Sequence, residues 1–218
     1  MKRCLFILCA CFGILSVSAQ THSFQVWTSI GTSVDLSKKL SLEFEAESRF
    51  QQTGALLKQA SAELGLDYNI SKHFFVGASY KFADKYRKNG YFPVHTFAAI
   101  AGYKKKFGNL RIGYQNKMNL EKNTYIKKAE DVRPSFVDKN KIKLVYTGID
   151  RLRPSVFVET YHLVGNESRY AIETIKYGIN CGVEFRKQIG VNVGYMFRQE
   201  IVDRQNISIV TIALSKEL

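Results

Sequence analysis

The sequence predicts an all-β protein, a single antiparallel sheet wound up and down and closed into a barrel. Three observations carry that prediction. Residues 175–198 alternate apolar and polar side chains through two runs separated by a short turn. No stretch after residue 19 combines the length and the unbroken hydropathy of a membrane-spanning helix. The composition, with 15 Gly, 15 Phe and 12 Tyr but only 3 Pro, suits strands joined by turns.

In the first run Ile175, Tyr177, Ile179, Cys181, Val183 and Phe185 alternate with Lys176, Gly178, Asn180, Gly182, Glu184 and Arg186. A turn at Lys187-Gln188 follows. Val191, Val193, Tyr195 and Phe197 then alternate with Asn192, Gly194, Met196 and Arg198. Successive strand side chains point to opposite faces, so one face of this hairpin is greasy and the other polar. A run of about eleven residues is what a tilted strand needs to cross a bilayer.

The chain opens Met1-Lys2-Arg3, continues without charge from Cys4 to Val17, and reaches Val17-Ser18-Ala19. A basic start, an apolar core and small residues before a cut describe a secretory signal peptide, cleaved after Ala19. The expected organisation is a leader, 1–19, and one domain, 20–218. Three of the four cysteines leave with the leader, and Cys181 alone cannot make an intramolecular disulfide. The formal charge of +13 falls to +11 with loss of Lys2 and Arg3. In an exported chain with no nucleic-acid-binding motif, that charge points to acidic headgroups or anionic solutes and away from nucleic acid. An exported chain with one greasy strand face reads as a porin-like outer-membrane barrel of a Gram-negative cell.

Taken in order, 24–34 alternates Phe24, Val26, Ile30 and Val34 with Gln25, Trp27, Ser29 and Gly31. Asp35 to Lys39 is a polar turn. From 40 to 51, Leu40, Leu42, Phe44, Ala46 and Phe50 oppose Glu43, Glu45, Glu47, Arg49 and Gln51. Four in-phase ionisable groups do not fit a dry core, so they face water or a wet lumen. Residues 56–70 place Glu63 and Asp67 opposite Leu64, Leu66 and Tyr68, and 73–83 follow after a turn at Ser71-Lys72. Residues 84–92 read as a charged, aromatic loop. Strands at 95–106 and 110–120 flank the tight turn Phe107-Gly108-Asn109, the second with Arg111 and Lys117 on its polar face. A long break, 121–138, precedes strands at 139–147 (Lys141, Lys143) and 155–163. The chain ends with strands at 175–185, 191–198 and 207–218.

Short turns alternate with longer breaks, as in barrels with tight turns at one end and loops at the other. Gly65, Gly77, Gly102, Gly113, Gly178, Gly182 and Gly194 all fall on the polar face, which predicts a crowded lumen. Eleven strand candidates conflict with the even number expected of bacterial barrels. The expectation is therefore ten strands with 24–34 outside the wall, and twelve is the alternative.

Trp27, the Glu-rich strand from Glu43 to Arg49, the group Arg111, Tyr114 and Gln115, and the alternating C-terminal half resemble an outer-membrane barrel family known as domain of unknown function 2490. The resemblance covers nearly all of 20–218. It implies location and architecture, with no activity attached.

The residues expected to face the lumen are Glu43, Glu45, Glu47, Arg49, Glu63, Asp67, Arg111, Lys117, Lys141, Lys143, Lys176, Glu184 and Arg198. Those expected to face lipid are Ile175, Tyr177, Ile179, Val183, Phe185, Val191, Val193, Tyr195 and Phe197. Acidic early strands and basic later ones would pair across the lumen, or form separated walls that orient a small ion or zwitterion. The four histidines have no metal-ligand spacing, so no metal, cofactor or catalytic residue is expected. His162 with Ser155, or His95 with a nearby serine, is what an outer-membrane lipid-modifying enzyme would need, but no Gly-x-Ser-x-Gly accompanies them. A periplasmic lipocalin-like barrel is the other alternative, with its greasy face turned inward around a ligand. The expected partners are membrane lipids and the barrel-assembly machinery during biogenesis, the role structural or that of a narrow solute channel.

Overall fold

The computed structural model describes residues 22–51, 56–87, 90–123, 135–164, 171–186 and 188–217. The expected leader, 1–19, and the segments 124–134 and 165–170 lie outside them. Among the described residues the chain forms eleven strands and no helix. They are β1 (His22–Asp35), β2 (Leu40–Gln51), β3 (Leu56–Asn69), β4 (Phe74–Arg87), β5 (Gly90–Phe107), β6 (Leu110–Asn123), β7 (Ser135–Tyr146), β8 (Leu152–Val164), β9 (Ala171–Arg186), β10 (Ile189–Glu200) and β11 (Gln205–Glu217).

Each strand pairs antiparallel with the next, and β1 pairs with β11 to close the barrel. With an odd number of alternating strands the first and last run the same way, so closure must be parallel. It is, in continuous register from His22↔Asn206 to Ser33↔Glu217. This corrects the expectation of ten strands, and the alternative of twelve. Segment 24–34 is a wall strand, hydrogen-bonded to β2 on one side and β11 on the other. Parallel pairing is slightly weaker per residue than antiparallel. Behind this seam lies a buried apolar cluster of Trp27 (β1), Ile207 and Ile209 (β11), with Met196 of β10 packed against it. Burial of large apolar groups at the weakest junction offsets the poorer ladder.

Local chemistry sets the turns at one end. Ser37 Oγ accepts the backbone N–H groups of Lys39 and Leu40 at 3.2 and 3.1 Å, and Ser71 Oγ those of His73 and Phe74 at 3.2 and 3.1 Å. A serine thus folds each chain reversal in the same way. Gly108, with φ of 55°, begins the two-residue turn between Phe107 and Leu110, where a side chain would be strained. The expected loop over 84–92 is mostly strand: β4 continues to Arg87, and β5 begins at Gly90. Tyr86 pairs with Tyr91 there, their rings 5.3 Å apart.

The apolar face turns outward and the polar face inward. Tyr177, Ile179, Phe185 and Val193 are exposed on the outer surface. Ile175, Val191, Tyr195 and Phe197 are half-buried in the same phase. Val183 and Phe185 also border the cavity at the turn end. A lipocalin-like barrel would have the opposite polarity.

Candidate functional site in the barrel lumen

Among the described residues, cavities of about 940, 420 and 110 Å³ lie in the lumen. The largest opens among the short turns, and the smallest lies toward the longer connections. Of the thirteen residues expected to face the lumen, Glu43, Glu45, Glu47, Arg49, Glu63, Asp67, Lys117, Lys141 and Lys176 line the middle cavity. Arg111, Lys143 and Glu184 line the turn-end cavity. Arg198 shares the inward phase of Met196 and pairs with Glu200 at 2.6 Å. The expected acidic–basic division therefore exists in space.

The charges are arranged in two ways. One set forms a continuous chain across the barrel. Lys117 of β6 bonds Glu63 of β3, which also accepts from Ser79 at 2.7 Å. Lys81 lies 3.9 Å from Glu63 and 3.5 Å from Glu47. Glu47 pairs with Arg49 at 2.8 Å, and the Arg49 guanidinium lies 3.7 Å from the centre of the Trp27 ring. Lys176 of β9 approaches the same indole at 5.1 Å. It also donates to Tyr161 and lies 4.0 Å from Glu159. Tyr161 donates to Glu159 at 3.1 Å, and Lys139 sits over its ring at 5.0 Å. Eight of the eleven strands contribute to this girdle. Its charges are desolvated, so each needs the partner it has.

The second set stays apart. β2 carries Glu43, Glu45 and Glu47 inward, and β7 carries Lys139, Lys141 and Lys143. The two strands lie five places apart one way round the barrel and six the other, so the ladders face each other across the axis. Among the described residues, Glu43, Glu45 and Asp67 make no ion pair, nor do Arg111, Lys141 and Lys143, whereas Lys139, the innermost rung, belongs to the girdle through the Tyr161 ring. Unpaired walls of opposite sign impose a transverse field on anything between them.

Sequence reasoning missed Lys81, Lys139, Glu159 and Tyr161 as members of the girdle. Lys81 and Lys139 were legible, since each continues the polar phase of its strand; Glu159 and Tyr161 needed a face assignment for 155–163. The crowding inferred from glycines holds at Gly178, where an added Cβ would lie 2.7 Å from the Tyr195 carbonyl oxygen. At Gly113 the nearest atom would be 3.9 Å away, so that position is open.

His162 and Ser155 do not meet. Ser155 is buried on the lumen side, lining the turn-end cavity, and His162 lies on the opposite phase of β8. His95 contacts the Tyr80 hydroxyl at 2.7 Å. A polar cluster interrupts the outer face instead. Asp138 accepts from Asn116 at 2.5 Å and from Asn140 at 2.8 Å, Tyr114 donates to Asn140 at 2.7 Å, and Thr160 contacts His162 at 3.1 Å. The sequence carries its signal at Asn116, which breaks the apolar phase between Tyr114 and Met118. No group of three or more His, Cys, Asp or Glu suited to a metal occurs among the described residues.

Comparison with curated proteins finds no match. The model of a family described as protein of unknown function (DUF2490) matches residues 24–206, from the start of β1 to the start of β11, and the chain belongs to that family.

Proposed function

We propose that the protein is an outer-membrane β-barrel, exported by its leader, whose narrow, charged lumen holds or passes small polar solutes. The observation that carries this reading is the outer surface. Ile30, Phe97, Ile142 and Val193 are 64, 57, 54 and 50% exposed, and they come from strands distributed around the whole circumference. An apolar belt of this extent, interrupted at the cluster of Asn116, Asp138 and Asn140, far exceeds the few hundred Å² that a soluble monomer leaves in water. Facing hydrocarbon it costs nothing, and a closed barrel leaves no backbone edge unsatisfied there. Tyr80, Phe82 and Phe107 add exposed aromatic rings to the belt, suited to the membrane interfaces. Connections of two to five residues at one end, against two to eleven at the other, are the reason for reading the first end as periplasmic.

The lumen reading rests on the girdle, whose paired side chains reach across the bore between the turn-end cavity and the longer connections. Passage is then limited to small, polar species. The single tryptophan of the sequence supplies the test. In vesicles with brominated acyl chains, Trp27 fluorescence should be nearly unquenched. Val193→Trp in a Trp27→Phe background should be strongly quenched. Extraction of the native protein without detergent, or an unquenched Val193→Trp, overturns the membrane assignment.

A further inference from the structure

The turn-end cavity is electropositive and unsatisfied. Its inward walls bring together Arg111 (β6), Lys143 (β7) and Arg153 (β8) beside the hydrogen-bonding side chains of Ser155, Asn192 and Ser215. Arg111 and Lys143 have no ion-pair partner among the described residues, and Arg153 has one, Glu184 at 3.2 Å. Arg153 is itself held in place, donating to the Ile149 carbonyl at 2.8 Å. Asp150, the other carboxylate on the lining, is 95% exposed and 3.8 Å from Arg151. Deeper in the lumen the next rungs of the ladder, Lys141 and Lys139, continue the positive wall toward the girdle. Of the four cations on the lining, Arg111 and Lys143 are kept there without a matching carboxylate among the described residues.

We propose that this chamber is a binding site for small oxyanions, solutes carrying phosphate or carboxylate groups, entered from the short-turn end. The guanidinium group of Arg111 offers a forked donor matched to such groups, Lys143 supplies a point charge on the next strand, and Arg153 adds its charge with its own donors already on Ile149, Leu152 and Glu184. A chamber of about 940 Å³ admits a ligand larger than a bare ion. The girdle above it separates the chamber from the other end. Glu43 and Glu45 line the adjoining middle cavity, so a cationic or hydroxyl substituent pointing deeper into the lumen adds to the fit. This inference deepens the lumen reading above and rests on it, but not on the membrane itself.

The test uses the full mature chain folded in a zwitterionic detergent, its folded state checked by heat-dependent gel mobility. Calorimetric titration with pyrophosphate and with citrate at low salt separates the two anion chemistries, with glucose as the neutral control. Binding of either anion, weakened at least tenfold in Arg111→Gln and Lys143→Gln and unchanged in Lys72→Gln on the exposed turn between β3 and β4, supports the site. A folded barrel that binds neither anion, or binds equally well in all variants, overturns it while leaving the barrel assignment untouched. A second readout avoids any folding defect. In a Cys181→Ser background, Ser215→Cys should react at least tenfold faster with an anionic methanethiosulfonate than with a cationic one. Equal rates refute a positive chamber.

Discussion

The two halves of the lumen differ in how they handle charge. Toward the longer connections, Lys117, Glu63, Lys81, Glu47, Arg49, Lys176 and Glu159 are paired, and Trp27, Ile207 and Ile209 form a dry cluster behind the seam. Toward the turns, Arg111, Lys141 and Lys143 stand opposite Glu43, Glu45 and Asp67 without touching them, around open volume. The first half spends its charged groups on holding the barrel together. The second leaves them available to a solute. The difference teaches that inward charge in one barrel can be structural and functional at once, separated by height along the axis.

The largest effect should come from breaking the closed half. Trp27→Ala removes the centre of the seam cluster, leaves Arg49 without its aromatic partner and leaves Lys176 with Tyr161 alone. The expected loss is about 3–5 kcal/mol in urea unfolding of the vesicle-folded protein. A loss below about 1 kcal/mol would mean that the seam is held elsewhere. Next comes Lys176→Met, which strands Glu159 in the girdle and should cost about 3 kcal/mol. Adding Glu159→Gln should recover part of that, because the uncompensated carboxylate is gone. A double variant worse than the single one would contradict the pairing. Gly178→Ala should cost about 1–3 kcal/mol, since the Tyr195 carbonyl cannot move aside. Gly113→Ala, with open space around it, should change stability by less than about 0.5 kcal/mol. Smallest of all, Glu45→Gln and Lys141→Gln should leave stability within about 0.5 kcal/mol. Their effect should appear instead in anion binding, raised by the first and lowered by the second. Strong destabilisation by either would show that the open half is load-carrying after all.

Much of the wall was legible before any coordinates. β2 was expected at 40–51 and is found at Leu40–Gln51, because its alternation begins and ends at the turns. The reading failed where polarity and strand structure part company. Asp84 to Arg87 look like a loop, yet Lys85 faces inward and pairs with Glu121, two strands away, at 4.0 Å. A partner on another strand satisfies the charge there, and no local pattern reports it. Asn116, Asp138 and Asn140 sit on the greasy phase for the same reason: side chains of two neighbouring strands, β6 and β7, satisfy one another.

Alternation of side chains is a property of the local backbone, so the sequence by itself determined the two faces, the turns and most of the strands. Closure is a property of chain ends more than 180 residues apart. Only the tertiary structure decided that β1 belongs to the wall, that eleven strands close in parallel, and that the acidic and basic ladders stand opposite each other. Each of these depends on which strands become neighbours around the ring, and hydrogen bonding between distant segments, with burial of Trp27 behind the seam, selects that arrangement.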